Sequence, residues 1–285
     1  MSRNKDRVGG AHKTNVEAPP PSVMQDNSEG FSFVVPTEFV ELPSEGKYYP
    51  EGHSLRGHDS IEIKQMTAKE EDLLTSRTLL KKGVALDRVI QNLIVDKSIN
   101  AASLLVGDRN AIIIAIRKSG YGSEYSTKVT CPACRETQEY SFDLNELEIK
   151  NFADFGEAGV SDNGDGTFQL TLPSTRVEVI FKLLTGYDER NFVKAAENDR
   201  KRKLEEKNVT RQLKNIIVSV NGDDSSQAIQ YLVNNIPSID SRHLRMAYEL
   251  ASPNIDMAHH FECAGCDYEQ YMEVPLTADF FWPDR

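Results

Sequence analysis

The cysteines are the residues whose types and spacing could do chemistry. They form two Cys-x-x-Cys pairs, Cys131 with Cys134 and Cys263 with Cys266, which together use all four cysteines of the chain. One such pair places two thiolates on the same side of a metal ion, and two pairs supply the four ligands of tetrahedral zinc. Four thiolates leave no open position for water or substrate, so the sequence predicts a structural rather than a catalytic zinc site.

Other uses of these cysteines stay open beside zinc. Two disulfides are disfavoured because no secretion signal is recognised, and a reducing cytoplasm keeps thiols free. A redox dithiol needs only one pair. An iron site of the rubredoxin type has the same four ligands, so iron is the less favoured alternative to zinc. His259 and His260 lie close enough in sequence to Cys263 to replace a thiolate.

The segments around the two cysteine pairs resemble each other. The residues that match at equal distances from the cysteines are Val129 with Phe261, Gln138 with Gln270, Phe142 with Val274, and Leu144 with Leu276. Apolar and polar residues alternate on both sides of each pair, which is typical of β-strands. We therefore expect two copies of one β-hairpin to close on a single ion. The 128 residues between the two cysteine pairs (135–262) would then form an insertion whose two ends are held together.

Three helices are predicted before the first hairpin. Thr67 and Glu70 have the spacing of a capping box and begin the first helix. Apolar residues at helical spacing over 86–93 mark the second. The third, over 108–118, is apolar on every side at its centre and is expected to be buried. In the insertion, residues 168–172 and 177–181 alternate like a strand pair, and about four helical stripes follow, one of which includes Ile217 and Val220.

The predicted fold class is α+β, with a small helical bundle, a two-hairpin four-cysteine zinc ribbon, and a mostly helical insertion between the hairpins. The first segment is rich in Pro, Ser, Gly and Asn, a composition that does not favour a packed core. The predicted segments are a disordered N-terminal tail (1–30), an extended loop with short strands (31–66), the helical bundle (67–122), the first zinc hairpin (123–147), the insertion (148–255), and the second zinc hairpin with an aromatic C-terminal tail (256–285).

Composition excludes several classes of function. The 285 residues carry a net charge of −11, which disfavours nucleic acid or an anionic membrane as the main partner. No apolar run approaches the ~20 residues of a membrane-spanning helix. Phosphate-binding loops, dinucleotide-binding glycine motifs, metalloprotease motifs and nucleophile elbows are all missing, so the sequence predicts a protein that is not an enzyme. A zinc-ribbon regulator that binds nucleic acid is the alternative function.

Two aromatic groups are candidates for contact with partner proteins. Tyr48 and Tyr49 lie in a loop rich in Pro and Gly, where paired rings fix the loop either to the chain's own surface or to a partner. Phe280, Phe281 and Trp282 are three consecutive aromatic residues near the C-terminus, which must likewise be buried in this chain or in another protein.

Several motifs together resemble a known family. They are Leu42-Pro43-Ser44-x-Gly46, Tyr49-Pro50-x-Gly52-His53, the stretches 66–72, 80–83, 106–110 and 119–122, Cys131-Pro132-x-Cys134, and the aromatic end that precedes Pro283. The pattern resembles the baseplate hub and hub-assembly proteins of T-even-type bacteriophages, over residues 33–150 and more loosely over the last thirty residues.

The resemblance implies a structural or assembly role in the baseplate of a contractile phage tail. The expected partners are other baseplate or tail proteins, with no membrane and no small-molecule substrate. The expected location is the virion tail, assembled in the cytoplasm of the bacterial host. No catalytic residues are implied.

Overall fold

The computed structural model describes residues 22–26, 32–76, 78–79, 84–150, 155–156, 158–205, 207–275 and 278–281. Within these residues the chain is a mixture of seven α-helices and thirteen strands in several small antiparallel sheets. The helices are α1 (Ala68–Thr75), α2 (Ala85–Leu93), α3 (Val106–Tyr121), α4 (Gly186–Arg202), α5 (Asn208–Ile216), α6 (Ser226–Asn235) and α7 (Ser238–Ala251). The strands are β1 (Ser22–Asp26), β2 (Ser32–Glu41), β3 (Ser60–Lys64), β4 (Glu124–Thr130), β5 (Thr137–Asp143), β6 (Glu148–Lys150), β7 (Val160–Asp162), β8 (Thr167–Thr171), β9 (Glu178–Lys182), β10 (Ile217–Val220), β11 (Asn254–Asp256), β12 (Ala258–Glu262) and β13 (Glu269–Glu273).

The chain begins with a three-stranded sheet in the order β1-β2-β3. Strand β1 pairs with the first half of β2, and β3 pairs with the second half, because β2 is ten residues long. The expectation of a disordered tail over residues 1–30 is therefore wrong for Ser22–Asp26, which find backbone partners in β2. The other residues of that predicted tail lie outside the described part of the chain.

Helix α3 is the buried centre of the first half. Ile112, Ile114 and Ile116 are at most 4% exposed, which confirms that this helix is packed on several sides. The predicted capping box is also confirmed, since the side chain of Glu70 accepts hydrogen bonds from the backbone and the hydroxyl of Thr67. The predicted end of that first helical stretch, residues 80–83, lies outside the described residues.

The loop from 42 to 59 is fixed to the start of α3 by a buried carboxylate. Asp108 accepts hydrogen bonds from the backbone N–H of Ser44 (2.9 Å), the hydroxyl of Ser44 (2.6 Å) and the hydroxyl of Tyr49 (2.7 Å). Burial raises the pKa of Asp108, while these three donors favour its charged form and oppose that shift. The Pro- and Gly-rich loop is therefore an ordered part of the core.

The insertion contains a four-stranded antiparallel sheet in the order β10-β9-β8-β7, together with helices α4 to α7. Strands β8 and β9 confirm the predicted strand pair. The helical reading of Ile217 and Val220 is wrong, because residues 217–220 form strand β10 and pair with the edge of β9. The β-branched residues of this segment fit a sheet well, and helical spacing over a short apolar run does not distinguish the two structures.

The two ends of the insertion meet each other. Strand β6 at its start pairs with β11 at its end, with Ile149 opposite Ile255. Helix α3 packs against β11, and the approach is so close that a Cβ atom on Gly107 would lie 1.8 Å from the carbonyl oxygen of Pro253. This short sheet therefore brings the two cysteine hairpins side by side. Among the described residues, every helix is too short or too polar to cross a membrane.

Candidate metal centre

Four cysteine sulfurs meet at the tips of two hairpins. Strands β4 and β5 carry Cys131 and Cys134 in their connection, and β12 and β13 carry Cys263 and Cys266. All four sulfurs lie within 4.8 Å of one another. The Sγ atoms of Cys131 and Cys266 are 3.8 Å apart, and those of Cys134 and Cys263 are 3.7 Å apart. The fold thus brings together all four of the residues that the sequence predicts as metal ligands.

These separations fit a tetrahedral ion. With metal–sulfur bonds of about 2.3 Å, the four sulfurs of a regular tetrahedron are about 3.8 Å apart. A disulfide would need a sulfur–sulfur distance of about 2.05 Å, and all four cysteines are free. The donor set is therefore compatible with a metal site. A tetrahedral ion held by all four sulfurs would have no further ligand position.

Both hairpins turn around their cysteines in the same way. In each, the first cysteine donates its backbone N–H to the carbonyl five residues later, at 2.8 Å in the first hairpin and 2.9 Å in the second. Its carbonyl accepts from the N–H four residues later, at 2.9 and 3.2 Å. Arg135 and Asp267 occupy equivalent places and have positive φ angles of 63° and 53°. The similarity of the flanking sequences thus reflects a repeated local structure.

The thiols do not have equal environments. Cys131 and Cys263 are buried, whereas Cys134 and Cys266 are exposed. Burial raises the pKa of the Cys131 thiol, but the backbone N–H groups of Cys134 and Ala133 outweigh it and bring the pKa down to about 7. The shared hydrogen bond with Cys134 raises the pKa of Cys266 to about 12. The four neighbouring thiols thus cannot all lose their protons easily, because the thiolates would repel one another. A cation among them would lower their pKa values and favour the thiolate form.

One side chain joins the two hairpins directly beneath the sulfurs. Gln138 donates to the carbonyl of Glu262 (3.1 Å) and accepts from the backbone N–H of Ala264 (3.0 Å). The equivalent residue, Gln270, cannot make the matching contact to the first hairpin. Pro132 stands at the place of Ala264 there, and proline has no N–H. The two hairpins therefore have similar backbones but make different contacts with each other.

The histidines near the second cysteine pair belong to the hairpin packing. The ring of His259 lies 5.3 Å from that of Phe142, and its Nε2 is 2.9 Å from a carboxylate oxygen of Glu146. His260 lies 3.6 Å from the carboxylate of Glu269. Among the described residues, the group close enough to hold an ion at this site contains cysteines only. The geometry thus favours four sulfur ligands over a mixed set.

The aromatic residues named as partner contacts face the interior of this chain. Tyr48 is 8% exposed, Tyr49 1%, Phe280 1% and Phe281 6%. Trp282 lies outside the described residues. These four rings therefore support the packing of the loop and of the C-terminal segment, and they offer little surface to another protein.

Sequence reasoning missed a buried arginine that holds the C-terminal segment. Arg117 is fully buried and donates to the backbone carbonyls of Gly122 and Glu124. Its guanidinium also lies 6.0 Å from the ring centre of Tyr125 and 5.9 Å from that of Phe280. The sequence signal for this residue is its position directly after the apolar centre of α3. A charged side chain on a buried helix has to find partners inside the protein.

Comparison with known proteins identifies the family. No curated protein and no solved structure matches the chain. The sequence profile of the T4 bacteriophage base plate protein family, by contrast, matches residues 35–282, which is most of the chain. This range includes both cysteine pairs, α3 and the whole insertion. The chain therefore belongs to the T4 bacteriophage base plate protein family, whose members are structural proteins of the phage tail.

Proposed function

We propose that the chain is a subunit or assembly factor of the baseplate hub, and that a structural zinc ion joins its two hairpins. The observation that carries the proposal is the meeting of four sulfurs from hairpins that are remote in sequence. Because the ion would be fully coordinated by protein, it would hold the fold together and leave docking to other surfaces. The partners are other proteins of the baseplate or tail.

The size of the hairpins supports a stabilising ion. Strands β4 and β5 have seven residues each, and β12 and β13 have five each. An isolated two-stranded hairpin is at best marginally stable in water, and a metal supplies folding free energy that a small core cannot. Zinc is proposed ahead of iron because a closed four-thiolate site is its usual structural setting.

Charge around the sulfurs argues against a nucleic-acid regulator. The exposed charged residues next to the two cysteine pairs are mostly acidic, with Glu136, Glu262, Asp267 and Glu269 against Arg135. A phosphate backbone would be repelled by this surface, in addition to the net charge of −11 on the whole chain. Docking to a protein is the function that the hairpins support better.

Metal analysis tests the proposed zinc site. Native protein is expected to contain one zinc ion per chain by elemental analysis, and Cys131→Ser or Cys263→Ser to lose it. Loss of the ion should lower the free energy of unfolding by several kcal/mol, on the order of what structural zinc contributes. Ser126→Ala is the matched control, because this exposed hydroxyl lies on the same hairpin and bonds only to Ser141 at the surface.

The outcomes of the metal test are distinct. A melting temperature that falls with chelator in the native protein, but not in Cys263→Ser, supports the site. Iron in place of zinc would correct the identity of the ion and keep the architecture. A protein without metal, whose melting temperature is the same with and without chelator, would contradict the proposal.

A phage that lacks this gene tests the role in the baseplate. Electron micrographs of infected cells are expected to show incomplete baseplates, with normal tails restored by complementation. Mass spectrometry of purified virions then separates the two forms of the proposal, since a resident subunit is present in the particle and an assembly factor is not. Complete contractile tails without the protein would refute both.

A further inference from the structure

A cavity lies where the three parts of the chain meet. Its volume is about 380 Å³, which falls in the range of roughly 300–1,000 Å³ that is usual for small-ligand pockets. The N-terminus of α3 forms one wall, and α5 and α7 of the insertion form another. Strand β11 and Met257, which leads into the second cysteine hairpin, complete it. An occupant would therefore touch the first half, the insertion and the second hairpin at once.

Arg245 of α7 lines this cavity and has no partner among the described residues. Its Nε–H is buried and has no hydrogen-bond acceptor in the described part of the chain. No described carboxylate lies within ion-pair distance of its guanidinium either. A buried N–H without an acceptor is unfavourable, and Arg245 as a whole is only half-buried, so its terminal N–H groups remain open to a ligand. The position thus calls for an acceptor that the described residues of this chain do not supply.

The other partly buried arginines show that this situation is unusual. Arg109, Arg117 and Arg190 also have a buried Nε without a hydrogen bond among the described residues. Arg109 and Arg190, however, both form ion pairs with Asp87, and Arg117 donates to two carbonyls. Arg245 is thus the member of this group that has neither an ion pair nor a hydrogen bond to any described residue.

We propose that this cavity is a binding site for a carboxylate, held by the guanidinium of Arg245. A planar carboxylate accepts two parallel N–H bonds from an arginine, which is the strongest acceptor geometry open to that group. Leu183, Leu184 and Ile255 form apolar parts of the wall. They suit the methylene groups that carry a carboxylate in an acidic side chain or a small organic acid.

The remaining charges of the cavity limit the ligand to a weakly charged anion. Glu249, Asp256 and Glu273 also line it, and all three are exposed. Lys150 also lines the cavity and lies 4.0 Å from Glu249. The lining thus carries three carboxylates and two cations, which repel a multiply charged anion more than a single carboxylate, whose repulsion two hydrogen bonds from Arg245 can offset.

The same chemistry has two possible sources, an acidic segment of a neighbouring protein and a free organic acid. A titration followed by NMR distinguishes them through the side-chain Nε–Hε signal of Arg245, which is assigned by its loss in Arg245→Gln. The probes are the peptide acetyl-Ala-Glu-Ala-amide and sodium butyrate, each with one carboxylate. Acetyl-Ala-Gln-Ala-amide and sodium phosphate are the reference compounds. This measurement uses the purified full chain and does not depend on the role proposed for the protein in the baseplate.

Both carboxylate probes are expected to move the Arg245 signal in a saturable way. Arg245→Gln should weaken binding about 10- to 100-fold, the loss expected for a charge-assisted hydrogen-bonding partner. In the Arg245 variants, binding is followed through the backbone amide signal of Ile255 in the cavity wall. Arg242→Gln is the matched control, because this exposed arginine lies one turn earlier on the same helix and outside the cavity lining. Arg245→Lys, which keeps the charge and loses the planar fork, should bind with intermediate affinity and serves as the test if Arg245→Gln does not fold.

The other outcomes of the titration identify the ligand or contradict the site. Tighter binding of the peptide than of butyrate assigns the site to an acidic protein segment, and the reverse order assigns it to a free acid. Equal binding of phosphate or of the glutamine peptide would overturn the preference for a carboxylate. An Arg245 signal that no probe moves, or affinity that Arg245→Gln leaves unchanged, would overturn the site itself.

Discussion

Arg135 and Asp267 each stand directly after the second cysteine of a pair, and each adopts a left-handed backbone. Non-glycine residues rarely adopt this conformation, because the Cβ atom approaches the following carbonyl. The tight turn of the backbone around the first cysteine requires it in both hairpins. Aspartate tolerates the left-handed region better than arginine does. The strain is therefore expected to be larger at Arg135.

The strain at this position predicts a stabilising substitution. Arg135→Gly should raise the free energy of unfolding by roughly 0.5–1 kcal/mol, because relief of the left-handed strain exceeds the entropy that glycine adds to the unfolded chain. Asp267→Gly is the internal comparison and should gain less. Urea unfolding of the purified protein measures both. A loss of stability in Arg135→Gly would show that the side chain itself contributes to the turn.

At the scale of one element, α4 shows how a helix start is fixed by charge. The carboxylate of Asp188 accepts from the backbone N–H and hydroxyl of Thr185, at 3.0 and 2.9 Å, and forms an ion pair with Lys182 at 2.9 Å. Burial raises the pKa of Asp188, but these donors outweigh it, so the pKa lies below its ordinary value of 3.8. A carboxylate with a lowered pKa stabilises the folded state above that ordinary value.

The helix start therefore predicts a pH-dependent mutant. Asp188→Ala should lower the free energy of unfolding by about 1–2 kcal/mol at pH 7, the usual loss when a capping side chain is removed. The difference from the native protein should shrink as the pH falls from 3.8 through the folded pKa, because the native carboxylate is protonated there.

Glu197→Ala is the control for this experiment. Its carboxylate lies on the same helix and makes only a 3.8 Å surface pair with Lys201. The control should change stability little at either pH. If the loss in Asp188→Ala were the same at pH 7 and at pH 2, the charge of Asp188 would not be its cause.

At the scale of the whole molecule, the contact between α3 and β11 connects the first half to the end of the insertion. Gly107 begins this contact, and a side chain there would meet the carbonyl of Pro253. That carbonyl belongs to the backbone and cannot move aside as a flexible side chain would. The cavity of Arg245 and the second cysteine hairpin lie next to this contact. A change at Gly107 is therefore expected to disturb both.

This contact predicts a size limit at Gly107. Gly107→Ala should destabilise the protein by about 1–3 kcal/mol, the usual cost of overpacking a close contact. Gly120→Ala is the matched control in the same helix, since its Cβ would meet only the end of the Met66 side chain at 3.1 Å. Alanine there should be neutral or stabilising by up to about 1 kcal/mol, because it favours the helix. Thermal unfolding compares the two, and equal losses would contradict the limit.

Local patterns allowed much of this protein to be predicted. The spacing of the cysteines and the alternating flanks predicted the two hairpins, since each hairpin depends on residues close together in sequence. The capping box at Thr67 and the buried helix α3 follow from local preference and periodicity. Strand β10 was missed because a short β-branched run satisfies both helical and strand spacing, and only its neighbour β9 decides between them.

Contacts between distant segments had to come from the tertiary structure. The pairing of β6 with β11 fixes how far apart the two cysteine pairs lie, and no local rule contains that distance. Burial of the aromatic rings also depends on distant contacts. Asp108 holds the loop that carries Tyr48, and Arg117 lies against Phe280 in the C-terminal segment, so both rings are buried. Sequence by itself determined the chemistry of the four sulfurs. Tertiary structure decided that they meet, and that Arg245 faces a cavity without a partner among the described residues, because both depend on packing across the whole chain.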